Sequence, residues 1–221
     1  MPRLIVLNDN TPSRGLINDW GWSILIEGRE RFLFDADTNP LVLAHNSKVL
    51  NVNLRNLDFA VLSHWHYDHY GGFEYIAELN PGIKFYAPPQ GLALAMRWGF
   101  QPIAINFGGK IEEEVYTSGV IDGIEQAIGL ETSSGLVVIV GCSHPGVDRM
   151  VEEVLKVSGY EKAYLVIGGF HSPPIHRLRN LARLSELIAP AHCSGDVAKA
   201  FIKRNYKEKY VDVKTGTILE I

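Results

Sequence analysis

The sequence predicts an α/β chain in which two β-sheets pack face to face with helices outside. Three observations predict it. Twice along the chain a run of short strand-like segments gives way to alternating strands and helices. Apolar residues fill 46% of the 221 positions, enough for a substantial core. No low-complexity linker, break in pattern or repeat interrupts this order, so residues 1–221 are expected to form a single domain.

The opening segments "RLIVL", "WSILIE" and "RFLFDA" are apolar or alternating and are parted by Asn, Gly and Asp, which predicts a β-meander. "NPLVLAHNSKVL" has Pro40 at its start and apolar residues at helical spacing, so a helix is expected at about 40 to 50. Strand "LDFAVL" follows, then the run "SHWHYDHYGG". A helix from Gly72 to about Leu79 ends at "NPG", and strand "IKFYA" leads into a helix at "PQGLALAMRW". The middle is strand-rich: "QPIAIN", "KIEEEVYT", "GIEQAIGLET" and "GLVVIVG" are divided by glycine-bearing turns. "HPGVDRMVEEVLKVSG" predicts a helix capped by Gly159. Strand "AYLVIGGFH", helix "IHRLRNLARLSELI", strand "APAHCSG", helix "DVAKAFIKRNY" and a closing hairpin in "VDVKTGTILEI" complete the order.

The net charge of −4 gives no overall attraction for nucleic acid or an acidic membrane. The one basic cluster, Lys203 to Tyr210, is broken by Glu208 and is expected to be a solvated helix end. Two cysteines cannot build a disulfide framework, and "MPRLIVLNDN" lacks the basic start and apolar core of a secretory signal, so a cytoplasmic location is expected. No apolar run approaches the ~20 residues that span a bilayer. The expected partner is a small molecule, with no nucleic acid and no membrane; the sequence leaves the oligomeric state open.

Three of the eight histidines fall within six positions, His64, His66 and His69, with Asp68 among them. In an extended chain alternate side chains share a face, so His64 and His66 can reach one metal, while Asp68 and His69 can serve a second where the chain turns into a helix. Imidazole with carboxylate suits zinc, iron or manganese rather than calcium or magnesium. Gly71 and Gly72 would let the backbone turn under the site. Further ligands are needed, and His144, His171 and His192 each follow an apolar strand. Six of the eight histidines thus lie at strand ends, and His45 and His176 are expected on the surface.

"HWHYDH" fits the H-x-H-x-D-H motif, and the chain resembles the metallo-β-lactamase superfamily. Within it, "LNDN", "FDAD", "LSHWHYDHYGGF", "GCSHPG", "GGFH" and "HCSG" are similar to the 7,8-dihydropterin-6-methyl-4-(β-D-ribofuranosyl)aminobenzene-5′-phosphate synthase family of tetrahydromethanopterin biosynthesis. The resemblance implies an αββα four-layer sandwich with two divalent metal ions, zinc first, with manganese or iron as alternatives. It implies His64, His66 and His144 on one metal and Asp68, His69 and His192 on the other, with Asp35 steadying the metal-binding loop. Asp68 and His171 are the expected catalytic groups; His171, Arg177 and Asn10 are the expected substrate contacts, Arg177 as an anion clamp. Two departures stand out. Asp35-Ala36-Asp37 replaces the usual Asp-Thr-Gly, and "GGFH" carries no bridging aspartate, so His171 either substitutes for it or faces substrate.

The implied chemistry is water activation, or the joining of a pterin methyl diphosphate to an arylamine with loss of diphosphate. Two other classes are weighed against it. A di-iron redox protein would carry glutamate where this chain has His66; a non-catalytic metal-dependent binding module would bind without turnover. Cys142 and Cys193 lie beside His144 and His192, and are expected to pack beneath the site rather than bind metal. "GIEQAIGL", with Glu125 and Gln126, also resembles the family, with no mechanistic role that the sequence assigns.

Overall fold

A computed structural model describes residues 1–221. The chain divides into two compact units, Met1–Ile105 with Lys214–Ile221, and Asn106–Val213.

The first unit opens with β1 (Arg3–Asn8), β2 (Ser23–Glu27) and β3 (Arg31–Phe34), the predicted meander. Helix α1 (Pro40–Val49) starts where expected because Asn39 caps it, its side chain accepting the Leu41 N–H, and Pro40 fills the first turn. Then come β4 (Phe59–Val61), the short α2 (Tyr67–Tyr70), α3 (Phe73–Leu79), β5 (Lys84–Ala87), α4 (Leu92–Trp98) and β6 (Gln101–Ala104). The second unit holds β7 (Phe107–Glu112), β8 (Val115–Gly119), β9 (Ile128–Thr132), β10 (Gly135–Val140), α5 (Val147–Ser158), β11 (Ala163–Gly169), α6 (Ile175–Leu184), β12 (Ser185–Ala191) and α7 (Gly195–Asn205). The chain then returns to the first unit with β13 (Ile218–Glu220).

Each unit is built on one mixed sheet with helices against it. The first has strand order β13-β1-β2-β3-β4-β5-β6, antiparallel as far as β3 and parallel beyond. The second has order β12-β11-β10-β9-β8-β7, with β10, β11 and β12 parallel. In the first, Leu25, Leu33, Ala60, Phe73 and Phe85 share a core, and the Phe85 and Phe100 rings stack with centroids 4.7 Å apart. In the second, α5 buries Val147, Met150, Val151, Val154 and Leu155, one face of a helix, among Val138, Val166 and Leu178. Each such valine contributes about 1.5–3 kcal/mol relative to exposure. Gly159, at φ 78°, ends α5 as predicted. No helix is long and apolar enough to cross a membrane.

Three expectations need correction. The helix predicted over "IHRLRNLARLSELI" ends at Leu184, because Ser185 begins β12, in register with Ala163 of β11. Parallel pairing along an apolar edge outweighs the helical propensity of Glu186 and Leu187. "KIEEEVYT" is two strands rather than one, turning at Glu113 and Glu114 so that Lys110 faces Tyr116. "VDVKTGTILEI" is no hairpin: β13 pairs with β1, Glu220 opposite Arg3.

Candidate metal centre

Strands β3 and β4 are parallel neighbours, Phe34 abreast of Val61, and the chain leaves both at their carboxyl ends. Sites of open α/β sheets are built there. Asp35 follows β3, fully buried, at φ 55°. Its Oδ1 accepts the Ser63 N–H at 2.7 Å; its Oδ2 accepts the Ser63 hydroxyl and His69 Nδ1, each at 2.7 Å. Because that hydroxyl gives its proton to Asp35, Ser63 Oγ accepts from His64 Nδ1, 2.8 Å away. His64 and His69 therefore both carry their proton on Nδ1, an assignment the hydrogen-bond network dictates, and both present Nε2 as a lone pair.

Each lone pair has a second potential ligand atom beside it. His64 Nε2 lies 3.0 Å from His66 Nδ1, and His69 Nε2 lies 3.7 Å from Asp68 Oδ2. With the His64 and His69 ring centroids 4.2 Å apart, the first unit presents two adjacent pairs of donor atoms. Asp68 is further oriented by the Trp20 indole, whose Nε1 donates to Oδ2 at 3.0 Å. Gly71 and Gly72 have ordinary negative φ, so sharp turning is not their role. A Cβ on either would collide with backbone, that of Thr38 or of Ala36. They allow the loop after β3 to lie directly against the histidine segment, with the Gly72 N–H on the Ala36 carbonyl at 3.0 Å.

The departure at Asp37 is a buried carboxylate at φ 59°, its Oδ1 accepting Asn8 Nδ2 at 2.8 Å. Burial pushes its pKa up to about 7, opposed by the Thr38 N–H and reinforced by the charge of Asp19. Asn10 builds the neighbouring loop: its Oδ1 accepts the Gly21 N–H and its carbonyl accepts Asn18 Nδ2, both at 3.1 Å. Asn10, expected as a substrate contact, thus gives its Oδ1 and its carbonyl to this loop.

In the second unit the parallel strands β10, β11 and β12 release Cys142 to His144, His171 and His192 at their carboxyl ends. Glu125, fully buried before β9, organises the first of these segments. Its Oε1 accepts the N–H groups of Cys142 and Ser143, and its Oε2 accepts the N–H and Nδ1 of His144, all at 2.8 Å. His144 thereby also turns Nε2 outward. The His144 and His171 ring centroids lie 4.5 Å apart. Ser143, His171, Ser172 and His192 adopt left-handed φ of 64°, 53°, 45° and 46°. Such conformations cost about 1–3 kcal/mol each and persist where surrounding bonds hold them. Here Ser143 Oγ donates to the Gly169 carbonyl at 2.7 Å and the Ser172 N–H to the Cys193 carbonyl at 3.0 Å.

Arg177 meets a competing partner. Its Nη1 lies 2.6 Å from Asp148 Oδ1, joining α6 to α5, and Asn180 Nδ2 donates to Asp148 Oδ2 at 3.0 Å. Burial pushes the Asp148 carboxyl up, but the Asn180 and Arg177 hydrogen bonds outweigh it and hold the group below the usual range. The guanidinium expected to clamp an anion is engaged within the protein. His45 and His176 are exposed, as expected of surface residues.

Sequence reasoning missed Ser63 and left Glu125 without a role. A carboxylate inside an apolar stretch is itself a signal, since a buried acid must find donors. What it served was not visible, because its partners lie 17 to 19 residues away.

In each unit, histidines with Nδ1 fixed by a hydroxyl or carboxylate and Nε2 presented follow the pattern of metal-binding imidazoles oriented from behind. In the first unit, His64, His66 and His69 with Asp68 are donors of the kind that fit zinc, manganese or iron. A family model described as the metallo-beta-lactamase superfamily matches residues 21–169, and the chain belongs to that superfamily. More particularly, it is 30% identical to the 7,8-dihydropterin-6-methyl-4-(beta-D-ribofuranosyl)-aminobenzene-5′-phosphate synthase of Methanocaldococcus jannaschii, over 90% of this chain and 89% of that one. Among solved structures, a metal-dependent hydrolase of the beta-lactamase superfamily matches with a TM-score of 0.85 at 23% identity, covering 100% of this chain and 99% of the other. The Zn2+-bound PqqB of Methylobacterium extorquens matches at 0.66 and 12%, covering 99% and 100%. At these identities the two structures speak for the fold.

Proposed function

We propose that this chain is a metal-dependent enzyme acting on an anionic, phosphorylated small molecule, with His64, His66 and His144 holding one divalent ion and Asp68, His69 and His192 a second. The observation that carries the reading is the shared orientation of His64, His69 and His144, each with its Nδ1 hydrogen bond on Ser63, Asp35 or Glu125 and its Nε2 presented. Imidazoles that served only packing would have no reason to share one tautomer. Bound there, two divalent ions would supply Lewis acidity toward phosphoryl oxygens and water.

The chain's own residues do the rest. Ser63, Asp35 and Glu125 fix tautomers and ring planes. Trp20 holds the Asp68 carboxylate in place while leaving its own indole 59% exposed, and Tyr67, between His66 and Asp68, is 58% exposed. The exposed Trp20 ring beside Asp68 suits a planar heterocycle. Together with the synthase relative, this supports coupling of a pterin methyl diphosphate to a ribofuranosylaminobenzene phosphate as the reaction class. The direct test incubates metal-loaded protein with both substrates and separates coupled product from free pterin alcohol and diphosphate. Coupled product is expected. Diphosphate release without coupling would make the enzyme a hydrolase, and no turnover by metal-loaded protein would overturn the reading.

A further inference from the structure

Strand β11 lies between β10 and β12, yet the cysteines that follow its two neighbours meet across its end: Cys193 Sγ is 3.2 Å from Cys142 Sγ. Glycine makes this meeting feasible. A Cβ on Gly169, the last residue of β11, would stand 2.7 Å from Cys193 Sγ and 2.5 Å from the Gly141 carbonyl oxygen, distances at which something must move. The next histidine completes the group. A donor nitrogen of His171 and the sulfurs of Cys142 and Cys193 all lie within 4.8 Å of one another. Cys142 is buried, Cys193 half-buried and His171 exposed, so the cluster has a closed floor and an open side.

The backbone supports the same conclusion. His171 and Ser172 are consecutive non-glycine residues in the left-handed region, a costly conformation for which packing supplies no motive, since both are exposed. The bond from the Ser172 N–H to the Cys193 carbonyl ties this turn to the cysteine-bearing segment. The turn therefore keeps the imidazole close to the two thiols.

We infer that Cys142, Cys193 and His171 form a soft cation site, taking zinc or another thiophilic divalent ion, in addition to the histidine and aspartate donors described above. Zinc–sulfur bonds of about 2.3 Å at a tetrahedral angle place two sulfurs roughly 3.8 Å apart, so binding requires the thiols to part by roughly half an ångström. Each thiol releases its proton to solvent as its sulfur takes the ion, and no redox step is involved. A fourth position is left for water or substrate on the exposed side of His171. The inference gives His171 the role of a metal ligand rather than a substrate contact. It does not depend on the two-metal reading.

The test is cobalt titration of the metal-free, reduced full-length chain, followed by absorption. Thiolate-to-cobalt charge transfer in the near ultraviolet is expected, since nitrogen and oxygen ligands produce none. Its intensity should fall by about half in Cys193→Ser and vanish in Cys142→Ser/Cys193→Ser; His171→Ala should retain the band but need more cobalt to reach it. A second readout uses the wild-type chain alone: zinc should protect Cys193 from iodoacetamide, read by peptide mass spectrometry. Two cobalt ions bound with no thiolate band, and Cys193 alkylated at an unchanged rate, would overturn this site and leave the two-metal reading standing. A thiolate band in wild-type protein that binds a single cobalt ion, unchanged in His66→Ala, would support this site and remove the other.

Discussion

Glu125 grips His144 twice, through the backbone N–H and through Nδ1, with both contacts on the same carboxylate oxygen at 2.8 Å. One buried acid thus sets the path of the chain after β10 and the tautomer of the imidazole it carries. In Glu125→Gln, the amide end would face N–H groups that need an acceptor. The expected result is a loss of about 1–3 kcal/mol in stability, read from the urea midpoint. Metal affinity should weaken about 10–100-fold, read by competition with a chelator.

Asp35 plays the corresponding part in the first unit, with Ser63 and His69 both depending on it. Asp35→Asn should lower affinity for the ion proposed on Asp68, His69 and His192 by about 10–100-fold while the overall fold persists. Metal stoichiometry across a chelator series checks this. Loss of one equivalent before the other is the expected pattern, and unchanged release would remove Asp35 from the support of His69.

His66→Ala should lose the ion it helps to hold, and turnover with it, because its Nδ1 is the atom facing His64 Nε2. His45→Ala is the control: its ring is exposed and its Nε2 reaches only the Gly15 carbonyl at 3.3 Å. Elemental analysis of both purified variants decides the matter, with unchanged metal content expected for His45→Ala.

Asp37 gives the protein a pH signature. Its carboxyl is raised from 3.8 to about 7, so the folded state holds the proton more tightly than the unfolded state. Its contribution to stability is therefore complete below pH 4, declines as pH rises toward 7, and is flat above. The total is on the order of 4 kcal/mol. Asp37→Asn, measured on metal-free protein by urea unfolding between pH 5 and pH 8, should flatten this decline. It should also make the variant more stable than the wild type at pH 8.

Much of this was legible in the sequence. The strands and their apolar runs, the Pro40 start and Gly159 end of two helices, and the histidines after β4, β10, β11 and β12 all follow from local pattern. What escaped was what depends on partners far along the chain. Ser185 to Ile188 carry a helical pattern that only the neighbouring β11 overrides, and β13 finds β1 rather than a local hairpin partner. Gly71 and Gly72 announced themselves, but for a different reason, since close approach of another loop is invisible in a linear pattern. Glu125 and Ser63 act on ring nitrogens whose tautomers the sequence does not encode locally. Arg177 seemed available as a cation only until Asp148 was placed beside it.

The first unit is discontinuous, closed by residues 214–221, and its seam is visible where Asp9 and Thr215 exchange hydrogen bonds at 3.0 and 2.8 Å across 206 positions. The second unit is one unbroken stretch, whereas the earlier-made unit cannot finish until β13 has been synthesised. At about 5–20 residues per second, translation leaves the edge of β1 without its partner for many seconds. Until β13 arrives, β1 presents an unpaired strand edge, the kind of surface on which another chain can pair.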